Sequence, residues 1–425
     1  MTRTRSPKPL PIARAVALEA LFRCLEQGQD VQAALDTALT DHAPEQRDAA
    51  LATELTYGYL RLKGRLDYVL SRFIKDPSHL PPKMALALGV AAYEILSLDR
   101  VPAYASVDWA VDFAKTKPGA RLSGLFNAVL RRVSELGDTA LDPDFYARDA
   151  GKIEFLSRVY ACPEWLVTLW IAAYGEENAL KYLEAQCQPP ALGVNLFRHP
   201  DADQLYGDLA GHEDLMDVEG MCFALPSGAS LPRVDTPIHR QSFAARQALE
   251  QLRPETWDAP VWDACAGRGG KTRVLLEKGI PVFASDVHKG RLAALRRELP
   301  DVKAFEAPAD SAQPPEVPGT ILLDLPCSGL GVLSRRPDAK WKRTPADLAK
   351  LAQLQRDILD NAATRVRPGG MVAIITCTLN PDENETQVQR FLADNPGAAM
   401  EIQWTTPADS RLNEFFYAAL VRMPK

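Results

Sequence analysis

The chain has 425 residues, more than one ordinary core organises, so two or three domains are expected. Hydrophobic residues make up 46% and charged residues 24%, the balance of a soluble globular protein, and no apolar run approaches the roughly 18 residues of a membrane span. A net charge of −6 means that any nucleic-acid contact must come from a local basic surface, not from the total.

The N-terminus is basic but no apolar core follows it, so it does not read as a secretory signal. The seven cysteines are odd in number, widely spaced and free of any CxxC pair, which argues against a disulfide framework or a zinc site and for a cytoplasmic protein. Ala17, Leu21 and Leu25 share one face of a segment from Ile12 to Gln27. Met84, Leu88, Ala91, Ala92 and Ile95 do the same between Lys83 and Leu98. This 3.6-residue period predicts an all-helical domain over 1–140. A polar stretch near 137–150 reads as a linker. A small mixed α/β region is expected over 150–235, with a helix from Glu164 to Gln186 and a strand from Ala191 to Phe197.

From 236 to the end, short apolar runs alternate with helical stretches: Val261–Ala264, Pro281–Ser285, Lys303–Ala307, Thr320–Leu323, Met371–Thr376 and Phe415–Val421. That alternation predicts a Rossmann-like α/β domain, whose ligands bind beyond the carboxyl ends of the strands. The first run leads into Cys265, Ala266, Gly267, Arg268, Gly269, Gly270 and Lys271. The glycines permit positive φ and let a helix N-terminus approach a ligand. Asp286 ends the second run, placed for ribose hydroxyls in either a nicotinamide or an S-adenosylmethionine enzyme, with a helix cap as its plain alternative. Asp310 follows the third.

Two segments carry the chemistry: Asp324-Leu-Pro-Cys327 and Thr376-Cys377-Thr378. Each sets a cysteine just past a strand. Cys24, Cys162, Cys187 and Cys222 read instead as small core residues. A thiolate adding to carbon 6 of cytosine makes carbon 5 nucleophilic, so cysteines at this rim suit cytosine methylation. A dehydrogenase would account for Gly269 and Asp286 but leave Cys327 and Cys377 idle. A non-catalytic RNA-binding helical factor leaves them unexplained as well.

Asp-Leu-Pro-Cys327 with Thr-Cys377-Thr resembles the RNA cytosine-5 methyltransferases. The segments Arg335-Arg-Pro-Asp-Ala-Lys-Trp341 and Pro381-Asp-Glu-Asn-Glu385 resemble the bacterial 16S ribosomal RNA branch of that family. Leu51–Tyr59, Val101–Val107 and Phe126–Arg131 are similar to the NusB-like RNA-binding domain. The resemblance implies S-adenosylmethionine as cofactor, bound by Cys265 through Lys271, Asp286, Asp310 and Asp324. It implies Cys377 as nucleophile, Cys327 as the group that assists product release, and Asp324 as a contact to the cytosine. In the DNA enzymes the Pro-Cys cysteine attacks, so Cys327 is the second candidate nucleophile. The implied partner is 16S rRNA, deproteinised or early in assembly, with no membrane and a monomeric enzyme. Arg268 stands where the family has proline. Arg335, Arg336, Lys340, Lys342 and Arg343 are candidate phosphate contacts beside Trp341, with Arg61, Lys63, Arg65, Arg131 and Arg132 extending the footprint; solvated surface charge is the plain alternative for each.

Overall fold

A computed structural model describes residues 8–75, 79–116 and 122–425. It divides into two compact units, Met1–Cys187 with Arg336–Lys342, and Gln188–Arg335 with Arg343–Lys425. Among the described residues, no helix is long and apolar enough to cross a membrane.

The first unit is helical. Its helices include Ile12–Leu25, Val31–His42, Gln46–Ser71, Pro82–Ser97, Ala103–Lys115, Leu122–Leu136 and Glu164–Ala185. Asp30 caps the second by accepting from the backbone N–H of Gln32 and Ala33. Leu21, Leu55, Val90, Phe126 and Leu130 meet in one core. A buried carboxylate stands beside that core: Glu94 accepts from Arg14 Nε at 2.8 Å, Ser106 Oγ at 2.5 Å and Trp109 Nε1 at 2.8 Å. The helix Glu164–Ala185, expected to be continuous, is interrupted at Gly175, where φ is +75°.

The segment Arg336–Lys342 departs from the sequence-based expectation of phosphate contacts. Lys340 is 1% exposed, and its ammonium donates to the Arg61 carbonyl and to Gln186 Oε1. Trp341 packs on the helical core and donates to the Leu60 carbonyl at 2.7 Å. Arg336 pairs with Asp30, and Lys342 with Asp338. Arg61 is buried, and Arg65 donates to the Val159 carbonyl. These cations are engaged within the protein: Lys340 and Arg61 bury their apolar stems in the helical unit, while half-exposed Arg336 is held by its ion pair.

The second unit holds two sheets. The smaller has β1 (Leu192–Asn195), β2 (Asp217–Glu219), β3 (Cys222–Leu225) and β4 (His239–Arg240), in the order β2-β3-β1-β4 and antiparallel throughout. The larger has β5 (Val261–Asp263), β6 (Val282–Asp286), β7 (Ala304–Glu306), β8 (Thr320–Asp324), β9 (Met371–Thr376), β10 (Ala399–Thr405) and β11 (Tyr417–Arg422). Its order is β10-β11-β9-β8-β5-β6-β7, and β11 alone runs against the rest. Both faces are covered. Val261, Leu322, Ala373 and Ile375 face one core, and Trp262, Ile321, Leu323, Val372 and Ile374 the other. Two-sided burial is why these strands read as unbroken apolar runs. The helical N-terminal part and the mostly parallel α/β sheet match the expected fold class.

Burial lowers the Lys340 pKa to about 8, outweighing the opposing pull of Cys187 and Cys162. The unfolded chain keeps an ordinary lysine, so between pH 8 and pH 10.5 it binds the extra proton, and this group's contribution to stability rises with pH. The measurement is the difference in denaturant stability between wild type and Lys340→Met across that window: the wild-type curve should climb relative to the variant, and parallel curves would refute the assignment.

Candidate active site

The glycine-rich turn leaves β5 and enters the helix Gly270–Glu277. Gly267 and Gly269 have φ of +56° and +84°, left-handed values that suit glycine. Asp286, at the end of β6, accepts from Gly267 N and from His288 N, both at 2.7 Å. One carboxylate therefore fixes the turn and its own exit. Asp263, fully buried at the end of β5, accepts from Thr272 Oγ1 at 2.6 Å, while its Oδ1 has no partner. Burial pushes the Asp263 pKa up to about 7.

A cavity of about 470 Å³ opens beside this turn. Ala266, Gly267, Arg268, Gly270, Lys271 and Asp324 line it, with Gln241 and Ser242 on the other wall. A Cβ on Gly267 or Gly270 would meet no atom within 4 Å, so both face open space. Lys271 Nζ pairs with Asp324 Oδ2 at 2.6 Å. Burial opposes the Lys271 charge, but Asp324, then Asp263 and Cys377, more than compensate and raise its pKa. Cys265 lies among Asp263, Asp324 and Asp286; burial first, then those carboxylates, hold its thiol well above the ordinary value. Asp310 is exposed at a turn, accepts from Ser311 Oγ at 2.9 Å and does not line the cavity.

β8 and β9 pair in parallel with Asp324 opposite Ile375, so the turns after them leave the sheet at the same end. Cys327 Sγ and Cys377 Sγ come within 3.2 Å, and Cys377 N points to Cys327 Sγ at 3.3 Å. The hydrogen bond with Cys377, then burial, and beyond these the Cys377 and Glu383 charges hold the Cys327 pKa well above normal. The Cys327 thiol is therefore harder to ionise than an ordinary cysteine. Gly331 N donates to the Cys377 carbonyl at 3.0 Å, and Phe415 N donates to the Gly331 carbonyl at 2.8 Å. A Cβ on Gly331 would fall 2.1 Å from the Phe415 carbonyl oxygen, so no larger residue fits there.

Beneath both turns lies Glu383, fully buried. It accepts from Ser328 N at 2.8 Å, Ser328 Oγ at 2.5 Å, Asn380 Nδ2 at 3.0 Å and Gln355 Nε2 at 3.1 Å. Ser328 Oγ also lies 2.6 Å from Thr378 Oγ1. The residues that follow each cysteine are therefore tied to one carboxylate. Each buried donor left unmatched by the loss of this carboxylate costs about 1–3 kcal/mol.

Residues 249–421 match the family model for 16S rRNA methyltransferase RsmB/F, and residues 11–135 match the NusB family. The ribosomal RNA small subunit methyltransferase B of Vibrio cholerae is 33% identical over 96% of this chain and 96% of its own length. The chain belongs to the RsmB family of ribosomal RNA small subunit methyltransferases. The probable RsmB of Synechocystis is 31% identical, covering 93% of this chain and 92% of its own. The crystal structure of PH0851 shares the fold with a TM-score of 0.74 at 21% identity, over 99% of this chain and all of that one.

In this RsmB-family chain the turns after β5, β6 and β8 bring Asp263, Asp286, Asp324 and Lys271 around one end of the sheet. Sequence reasoning passed over Asp263 and Glu383. Asp263 carried a usable signal, an acid at the last position of a strand directly before the glycine turn. Glu383 carried none beyond its place in the Pro381–Glu385 segment. Arg335 was expected at the RNA; it instead forms a two-pronged pair with Glu414 at 2.7 and 3.0 Å.

Removing the Glu383 charge lowers the Cys327 pKa, because a neighbouring anion disfavours a second one. Glu383→Gln should therefore speed iodoacetamide labelling of Cys327 at pH 8, followed by peptide mass spectrometry, with a thermal melt to verify the fold. An unchanged rate in a folded variant would refute this electrostatic role.

Proposed function

We propose that this chain methylates carbon 5 of a cytosine in 16S rRNA through a covalent bond between Cys377 and carbon 6. The observation that carries the reading is the pair of sulfurs 3.2 Å apart, with Cys327 three residues beyond Asp324, which with its ion-pair partner Lys271 lines the glycine-turn cavity. S-adenosylmethionine fits that cavity on two grounds. Gly267 and Gly270 leave open space, and the Asp324 carboxylate that lines the cavity suits a sulfonium cation. Cys265 through Lys271, Asp286 and Asp324 would hold it, with Asp310 assigned to the adenine end. The cofactor supplies the electrophilic methyl group when bound.

The residues of the chain do the rest. Lys271, kept charged by Asp324, lies close enough to Cys377 to interact with it electrostatically, and the thiolate is the attacking form. The thiolate adds to carbon 6, the ring electrons shift toward carbon 5, and Asp324 holds the base at its N3 edge. After methyl transfer, carbon 5 loses its proton to a base, the sulfur–carbon 6 bond breaks, and Cys377 regains its electron pair. Cys327 holds its proton through the attack and assists that release. A cytosine reaches the pair only when unstacked, so single-stranded or flipped RNA is the form bound. Deproteinised or early-assembly rRNA, a monomeric enzyme and a cytoplasmic setting complete the reading.

The test incubates wild type, Cys377→Ser and Cys327→Ser with labelled cofactor and small-subunit rRNA, and reads 5-methylcytosine and protein–RNA adducts on a denaturing gel. Cys377→Ser should lose methylation by at least about a thousandfold, as removal of a covalent nucleophile does, and Cys327→Ser should accumulate the adduct. The reverse pattern makes Cys327 the nucleophile. No 5-methylcytosine from wild type on any form of the RNA overturns the proposal.

A further inference from the structure

Next to the glycine-turn cavity lies a second concavity of about 370 Å³, sharing His239, Arg240 and Glu298 with it. Arg198, His199 and Arg273 line the rest, with Asn195 among them, and Glu298 is the acidic member. Around it, the guanidinium groups of Arg198, Arg240, Arg268 and Arg273 face two carboxylates. Glu298 pairs with Arg273 at 3.1 Å and lies 3.7 Å from Arg268 and 3.5 Å from His239 Nδ1. Exposed Asp301 pairs with Arg198 at 3.0 Å. Among the described residues, Arg240 has no carboxylate within ion-pair distance. Arg273 is 6% exposed, yet its Nε has no hydrogen-bond partner. A buried donor without a partner is costly and points to an acceptor supplied by a ligand. Burial first, and then Arg273, depress the His239 pKa against the pull of Glu298, with Arg268 adding to the depression.

The pocket is also rigid. His199 Nε2 donates to the Thr236 carbonyl at 2.9 Å while its Nδ1 accepts from Asp201 N at 3.1 Å. Asn195 Oδ1 accepts from Phe197 N at 2.7 Å, and Asn195 Nδ2 donates to Gln241 Oε1 at 2.7 Å. Gln241 Nε2 then donates to the Gly270 carbonyl at 2.9 Å, at the first residue of the helix after the glycine turn. The floor of the pocket is thus joined by side-chain hydrogen bonds to the cofactor turn.

We infer that Arg198, Arg240 and Arg273 form a subsite for a backbone phosphate of the RNA, flanking the nucleotide that enters the cysteine site. Guanidinium forks match phosphate oxygens, and a preorganised anion site one pocket from the reacting base holds the strand while that base is unstacked. The inference rests on the RNA reading above and adds to it a binding site in the small sheet and its loops.

The experiment compares wild type, Arg198→Gln and Arg198→Gln/Arg240→Gln. It measures the affinity of a small-subunit rRNA transcript by fluorescence anisotropy at several salt concentrations, and S-adenosylmethionine affinity by calorimetry. Each variant should bind the transcript more weakly than wild type. The double variant's log–log salt slope should flatten by about 0.7, the value for one phosphate on a single strand. Arg198→Gln should bind the cofactor as wild type does. An unchanged slope in the double variant overturns the inference. So does loss of cofactor binding in Arg198→Gln with RNA binding intact, which assigns the pocket to the cofactor's carboxylate. Formation of 5-methylcytosine by wild type on the same transcript is scored in parallel, so a failure of the catalytic reading is seen separately from a failure of the pocket.

Discussion

The parallel pairing of β8 with β9 is the constraint from which the site follows. Parallel neighbours end on the same side, so two turns separated by fifty residues of chain leave the sheet side by side. The sheet delivers both sulfurs to one edge but does not set their spacing. Glu383 does that from below, by accepting hydrogen bonds from residues that follow each cysteine, and Gly331 does it from the side, by letting the Phe415 and Cys377 backbones close on it. A buried carboxylate with five donors is a stiff object, since any displacement strands a buried charge.

The electrostatics of the same edge are asymmetric. Asp263, Asp286 and Asp324 gather at the ends of β5, β6 and β8, and Lys271 is the buried cation among them. Cys377 lies in the field of that ammonium, while Cys327 lies in the field of Glu383 and accepts from the Cys377 backbone N–H. Two chemically identical thiols therefore sit in unlike surroundings, one near a buried ammonium and the other near a buried carboxylate.

The small sheet is more than a connector. Asn195 on β1 reaches the cofactor turn through Gln241, so the glycine turn is braced by a sheet to which it does not belong. In the helical unit the segment Arg336–Lys342 plays a comparable part. It lies in sequence between β8 and β9, yet its lysine and tryptophan are built into the helical core.

What the sequence determined by itself was whatever depends on local order. The amphipathic period of the N-terminal helices, the strand–turn–helix from Val261 through Lys271 and the position of each cysteine just past a strand are all short-range patterns. β2 and β10 were not legible, because neither has the apolar run that marks a two-sided strand; β10 is an edge strand with mostly exposed residues. The tertiary structure alone decided which charges are buried. Arg335, Lys340 and Lys342 look like surface cations in a sequence, since a charge carries no mark of whether carbonyls or carboxylates will surround it. The same holds for Asp263, Glu383 and the pocket around Arg273, whose partners come from residues tens to hundreds of positions away and meet only once the sheets have formed.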